Sequence, residues 1–414
     1  MLYFDHNATT PLLPAAKTAW LEATEKLLGN PSSPHRLGQR AEAALQSARE
    51  RLAEFLGCDA MDIVWTSGAT ESNNMVFHHV ARIVDSAERR SPTRRVSARA
   101  RSKAGPPRTA VVWVSAVEHP CVLAAADFYF AARTQQIPVS RSGVLDLGWL
   151  RDGLKERRPA LVAIMAANNE TGVLQPWREA LTLCREADVS FFCDAAQWIG
   201  KLPARGLGAC DFVSGCAHKF GGPKGVGFLK CPSGSRLAPL LVGGKQEDGR
   251  RAGTENVAGV LSMMAALEAR ERLLATVEHK TRLAWREAFE RQLLEQLPGS
   301  EIVGIGAERL WNTVSALMPD ADCQQRWVVK LDKFGCAVST GSACASGREE
   351  PSHVLAAMGR TPPEAARALR FSSGWETIEQ DWTALLERLR KVQAEVMPKA
   401  KMQSSKLKAQ KKIQ

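Results

Sequence analysis

From about residue 38 to 260 the chain alternates between two hydrophobic periods. Gln39 to Leu56 places Ala41, Ala44, Leu45, Ala48, Leu52 and Phe55 on a 3.6-residue spacing, which predicts an amphipathic helix that Gly57 ends. Between such segments lie short unbroken apolar runs: IVW at Ile63, AVVWVSA at Ala110, ALVAIMA at Ala160, VSFFC at Val189, DFVSGC at Asp211 and VGFL at Val226. A strand with one wet face alternates apolar and polar residues. Runs without alternation predict strands buried on both faces, as in a mostly parallel sheet covered by helices. Helical stretches such as Pro176 to Ala187 separate several of these runs, so the fold class is α/β.

Beyond about Glu255 the pattern changes to long helical stretches, through Lys280 to Leu297, and then to a shorter mixed section ending near Met397. This predicts a smaller α+β domain. The expected organisation is a large domain over residues 16–258, with a basic insertion at 89–108, then a small domain over 259–397 and a basic tail over 398–414.

Composition narrows the function classes. A chain of 414 residues with 45% hydrophobic and 24% charged content can bury a sizeable two-domain core. No apolar run is long enough to span a bilayer, and the start, MLYFDHNATT, has neither a basic nor an apolar leader segment, so a cytoplasmic location is expected. The ten cysteines form no C-x-x-C pair, which argues against a disulfide framework or a zinc site. The net charge of +11 is concentrated: Arg89 to Arg108 carries eight basic residues and the tail from Lys399 six, with no acidic residue in either. Without those fourteen charges the remainder stands at −3. The two segments read as a solvated loop and tail, the alternative being weak attraction to RNA or an acidic protein. Nucleic acid is not an expected partner.

Ligands in open α/β sheets sit beyond the carboxyl ends of the strands, so the polar residues there are the candidates. The strand at Ile63 runs into TSGATES, where Ser67, Gly68, Ala69 and Thr70 form a turn opening a helix, a source of N–H donors for a phosphate. The next strand ends deliver His119, then Asn168 and Asn169, then Asp194 and Gln197, and finally His218 and Lys219 in GCAHKFGGPKG. Any one of these taken alone is a cap or a structural residue. Together they meet the needs of pyridoxal 5'-phosphate: an amine for its aldehyde (Lys219), a carboxylate for its pyridine nitrogen (Asp194) and N–H donors for its phosphate (the Ala69–Thr70 turn). His119 is then expected on the ring face and Gln197 at the ring oxygen, while Lys224 belongs to the turn.

FDHNATTP, GNPSSPHRLGQRAE, TSGATESNN, EHP, ANNETGVLQP, DAAQ, AHKFGGPKGVG, GRRAGTENVAG, STGSACASG, EPSHVLAAMG and LRFS occur in this order, and the chain to about residue 395 resembles the cysteine desulfurases of the fold-type I pyridoxal-phosphate enzymes. The STGSAC group is similar to the housekeeping and nitrogen-fixation type. The resemblance implies Cys344 as the nucleophile on a mobile loop, Lys219 as the residue that binds the cofactor, and Arg370 as the clamp for the substrate carboxylate. It also implies Asn169 near the substrate, and Thr254 reaching the phosphate of a neighbouring subunit in a homodimer. Residues 1–15 are expected to pack with the small domain. L-cysteine is the expected substrate, and the expected sulfur acceptor is an iron–sulfur scaffold or a tRNA-thiolation protein. Selenocysteine lyase or aminotransferase chemistry on the same scaffold is the alternative, and a non-catalytic binding protein a weaker one. Where the family has a serine two residues before the histidine of AHK, this chain has Cys216, a weaker donor, and looser cofactor retention is expected.

Overall fold

The structure is a computed structural model that describes residues 1–90, 109–232, 234, 236–320, 324–340 and 351–396. Its centre is a seven-stranded sheet formed by β2 (Ile63–Thr66), β3 (Val112–Ser115), β4 (Thr134–Ile137), β5 (Leu161–Ala163), β6 (Phe191–Asp194), β7 (Phe212–Cys216) and β8 (Gly227–Lys230), in the order β2-β8-β7-β6-β5-β3-β4. Only β8 runs against its neighbours; the pairs among β7, β6, β5, β3 and β4 are parallel. All six apolar runs of the sequence are strands of this sheet. The seventh, β4, reads TQQI and lies at the edge, where polar residues face solvent.

Both faces of the sheet are covered, as the unbroken runs require. Successive residues point to opposite sides: Phe191 and Phe228 join Leu45, Leu52, Trp113 and Trp177 on one face, while Phe192 and Leu229 join Phe77, Val80 and Phe130 on the other. The helix Arg36–Leu56 turns Ala41, Leu45, Ala48 and Leu52 inward and stops at Gly57, which is left-handed at φ 77° and donates its N–H to the Ala53 carbonyl. The helix Val257–Leu274 packs against Pro14–Lys26 and Arg36–Leu56 and places Met263 and Leu267 in the same large-sheet core.

A second core lies around the antiparallel strands β9 (Glu301–Ile302), β10 (Thr313–Leu317) and β12 (Ala368–Ser372), covered by the helices Glu278–Gln296 and Glu379–Val396 through Phe289, Leu293, Trp382 and Leu385. The amino terminus belongs to this region. β1 (Leu2–Tyr3) pairs in parallel with β11 (Cys336–Ala337), and Phe4 is buried in the same cluster. The next residues, Asp5 to Thr10, cross from this core to the ends of the large-sheet strands and thereby join the two halves of the molecule. Among the described residues no helix is long and apolar enough to cross a membrane.

Candidate active site

The carboxyl ends of β2, β3, β5, β6 and β7 open into one cavity of about 550 Å³, within the range of small-molecule sites. Ala69, Thr70, His119, Asn169, Asp194, Gln197, Cys216, His218 and Lys219 all line it. The turns that hold them depend on glycine at two close approaches. Gly227 on β8 lies so near the β2 turn that a Cβ there would stand 2.6 Å from the Gly68 Cα. Gly221, left-handed at φ 96°, would push a Cβ to 2.6 Å from the Leu13 Cγ.

Lys219 ends a short 3-10 turn, Ala217–Lys219, directly after β7. Its Nζ donates to the main-chain carbonyls of Asn7 (2.6 Å) and Ala8 (2.9 Å), and burial pulls its pKa below the ordinary lysine value. Both acceptors are neutral. An amine so placed reaches its uncharged, nucleophilic form more easily than a surface lysine. Asp194, at the end of β6, is buried, and its two oxygens accept from the Ala196 N–H at 2.9 Å and the Asn73 Nδ2 at 2.8 Å.

His119 follows β3 and caps the helix Pro120–Phe130, its Nδ1 accepting the Cys121 N–H at 3.2 Å and lying 2.9 Å from the Cys121 Sγ. With Nδ1 committed to the cap, Nε2 is the nitrogen left for other chemistry. Burial lowers its pKa, so the ring favours its neutral form. Burial lowers the pKa of His218 to about 4, and burial raises that of the Cys216 thiol to about 11. Of the two amides in ANNETG, Asn168 organises the turn: its Oδ1 accepts from the Glu170 and Thr171 N–H groups, while Asn169 faces the cavity. Lys224 lines the cavity too, beyond its place in the turn.

Two expected residues lie outside the cavity wall, and a third falls outside the described residues. Arg370, on β12, is 1% exposed and sits behind Asn169, donating from Nη1 to the Asn169 carbonyl (2.9 Å) and from Nη2 to the Asp5 carboxylate (2.7 Å). Thr254 is exposed and is not part of the cavity wall. Cys344 lies outside the described residues. Other residues of the site went unread in the sequence. Asn73, one helical turn below Thr70, supports Asp194; Asn7 presents its carbonyl to Lys219 and to Gln197; Lys201 reaches the Asn7 and Gln197 side chains. The helix starting at Ala69 carries a period that points to Asn73, because residue i+3 shares the face of Thr70. No comparable signal exists for Lys201.

A mostly parallel α/β sheet with one reversed strand, presenting a buried lysine, a carboxylate and a helix amino terminus to one cavity, defines a class of enzyme. The chain belongs to the aminotransferase class-V family, whose model matches residues 2–89 and 96–385, and within it to the cysteine desulfurases. It is similar to the cysteine desulfurase IscS of Dictyoglomus turgidum (35% identity over 94% of each chain). It is also similar to a cysteine desulfurase of Klebsiella pneumoniae (38% identity, 92% of this chain and 89% of the relative). Among solved structures, a NifS-like protein from Rickettsia africae superposes with a TM-score of 0.80 at 28% identity, covering 95% of this chain and 99% of that one. SspA in complex with cysteine gives a TM-score of 0.72 at 26% identity, covering 91% of this chain and all of that one.

Proposed function

We propose that the protein is a pyridoxal 5'-phosphate-dependent cysteine desulfurase that converts L-cysteine to L-alanine and leaves the sulfur as a persulfide on Cys344. The observation that carries this reading is the convergence of Lys219, Asp194, His119 and the Ala69–Thr70 helix terminus on one cavity. Its donor set fits the cofactor. Asp194 has a buried carboxylate whose partners are an N–H and an amide, which suits it to hold the proton of a cationic ring nitrogen. The amine of Lys219 is turned toward carbonyls rather than a carboxylate and is available to an aldehyde. The 22-residue helix beginning at Ala69 offers its terminal N–H groups and dipole to a phosphate.

When bound, the cofactor withdraws electrons from the substrate carbons and so weakens the bond to sulfur. The protein supplies the rest. Lys219 accepts the substrate Cα proton at Nζ and returns it elsewhere on the same carbon skeleton, its neutral form favoured by burial. His119 presents Nε2, the nitrogen its cap leaves unused, to move a proton to or from the substrate sulfur. Cys344, as thiolate, bonds to that sulfur while the C–S bond breaks, and the three carbons leave with one added proton as alanine. Arg370 pairs with the substrate carboxylate. The persulfide passes to an acceptor protein for iron–sulfur cluster or thionucleoside synthesis in the cytoplasm.

A homodimer belongs to the same reading, with Thr254 serving the partner subunit's cofactor. It accords with the exposure of Thr254 and of the nearby Leu241 and Val242, the last 82% exposed. Mass spectrometry of the purified chain after brief exposure to L-cysteine tests the central claim: one sulfur atom added at Cys344, with alanine released in equal amount, is expected. Alanine and sulfide at the parental rate from Cys344→Ala overturns the assignment.

A further inference from the structure

Lys201 is a buried lysine behind the cavity wall that the chemistry above does not use. It is 4% exposed, four residues beyond Gln197, and its Nζ donates to the Asn7 Oδ1 at 2.8 Å and to the Gln197 Oε1. Neither acceptor is charged. Its backbone is fixed as well: the Lys201 carbonyl accepts from the Trp311 Nε1 at 2.8 Å, and Gly200 before it is left-handed at φ 75°. Asn7 Oδ1 accepts a second bond from Asn312 Nδ2 at 3.1 Å, and Asn7 Nδ2 donates to the Thr313 Oγ1 at 2.9 Å. Three parts of the chain therefore meet at this lysine: the amino-terminal crossing, the loop after β6 and the entrance to β10.

A side-chain amide has one acceptor end and one donor end. Burial holds the Lys201 pKa well below the ordinary lysine value, and charged or neutral its amine has the hydrogens to donate to both the Asn7 Oδ1 and the Gln197 Oε1. With Oε1 of Gln197 on Lys201 and one hydrogen of Nε2 on the Asn7 carbonyl at 2.9 Å, the group Gln197 retains for a ligand is its second N–H. The same Asn7 carbonyl accepts from the Lys219 amine at 2.6 Å. We propose that Lys201 is a positioning residue: it fixes the Gln197 amide so that the cavity receives an N–H rather than a carbonyl, and it sets Asn7 beneath Lys219. This rests on the reading above, that the cavity holds pyridoxal 5'-phosphate, whose ring oxygen would take that N–H. The charged and titratable groups facing Lys201 are Lys219, Arg370, Cys216 and His6. Burial, and after it the proximity of Lys219 and Arg370, disfavours a charge on Lys201, so the oxygens of Asn7 and Gln197 are what retain its amine in place.

A ring oxygen that loses a donated N–H holds a shared proton more tightly. The test is therefore the pH at which the visible band of the full chain loaded with pyridoxal 5'-phosphate changes, in the parent, Lys201→Met, Gln197→Ala and the double variant. Lys201→Met is expected to raise this midpoint by about one pH unit and to speed cofactor loss on dilution about tenfold. In the Gln197→Ala background the same substitution adds no further shift, because the two residues act through one amide. A parental midpoint and parental retention in Lys201→Met overturn the proposal, as does a full additional shift in the double variant. Should Lys201→Met fail to fold, Lys201→Gln, with a shorter neutral donor, is expected to shift the midpoint in the same direction, and a parental value there overturns it equally. A parent chain that acquires no visible band with the cofactor overturns the reading of the cavity itself, a result separable from the others because it precedes any substitution.

Discussion

The two walls of the site handle charge in opposite ways. On the wall made by the large-sheet strands, the Asp194 carboxylate and the Lys219 amine are each held by neutral partners: an N–H and an amide for one, two carbonyls for the other. On the second, which β12 backs from behind Asn169 without lining the cavity, the Arg370 guanidinium already has a carboxylate, that of Asp5, at 2.7 Å. A charged group arriving at the first wall meets unneutralised partners. At the second it must exchange places with an internal acid. On the proposed reading, the cofactor side is preorganised for direct binding, whereas the substrate side begins in a self-paired state.

Lys219→Ala is the substitution expected to break the first wall most completely. It removes the proposed covalent anchor and base, so turnover is expected to fall by at least about 10²–10⁴-fold, and borohydride reduction to attach no cofactor to the chain. Retained turnover with no reducible linkage would place the chemistry on another residue.

The segment that serves both walls supplies the next effect. His6, between Asp5 and Asn7, is 6% exposed, lies against Gly374 and stacks edge-on against Tyr3 at 4.9 Å. Burial lowers its pKa to about 4, against the 6.5 of an unfolded histidine. Between those values the unfolded chain takes up a proton that the folded chain refuses. Stability is therefore complete above pH 6.5 and is lost as the pH falls toward 4, by up to about 3 kcal/mol. Glu376, whose pairing with Arg270 lowers its pKa against the opposing effect of burial, loses its contribution in the same direction but at lower pH. Chemical denaturation of the cofactor-free chain at pH 7 and pH 5 measures the slope, and His6→Gln is expected to flatten it in that interval. An unchanged slope would remove His6 as its source.

Much of this architecture was legible because it follows from short-range periods. The six apolar runs are strands since a residue run with no polar alternation has two faces to bury, and the strand ends bring their polar residues together by topology alone. β4 escaped notice for the converse reason: TQQI at a sheet edge has no apolar run to show. The helix Val257–Leu274 falls in a stretch that reads as helical, but which core it joins depends on the surface its Met263 and Leu267 meet. The pairings that distinguish the two walls were illegible for a further reason. Arg370 and Asp5 stand 365 positions apart, and Lys201 meets Asn7 across 194. No local pattern encodes such contacts, which the crossing of Asp5 to Thr10 between the two cores creates.

The corner proposed to hold the phosphate offers a smaller test of the first wall. Cys216, with a thiol pKa raised to about 11 by burial, is a neutral and weak donor beside Ala69 at the helix terminus. Cys216→Ser supplies a stronger O–H donor in nearly the same volume. The cofactor dissociation constant is expected to fall about tenfold, the worth of one ordinary hydrogen bond, as read from visible absorbance on serial dilution. No tightening would mean that the corner's N–H groups carry the phosphate without the side chain.

The finest discrimination concerns the second wall, where the sign of the effect decides the matter. Asp5→Asn leaves Arg370 buried with the Asn169 carbonyl but without its counter-charge, a costly state in a folded protein. The ligand-free chain should melt at lower temperature. A carboxylate entering the site would then relieve that cost rather than compete with Asp5, so L-alanine should bind the loaded variant several-fold, roughly three- to tenfold, more tightly than the parent. L-Alaninamide, which keeps the amine and lacks the carboxylate, should show no such gain. If Asp5 instead serves to orient Arg370 for the substrate, the same substitution weakens L-alanine, and the self-paired wall is a scaffold. Equal changes for both ligands would place the effect outside the carboxylate contact altogether.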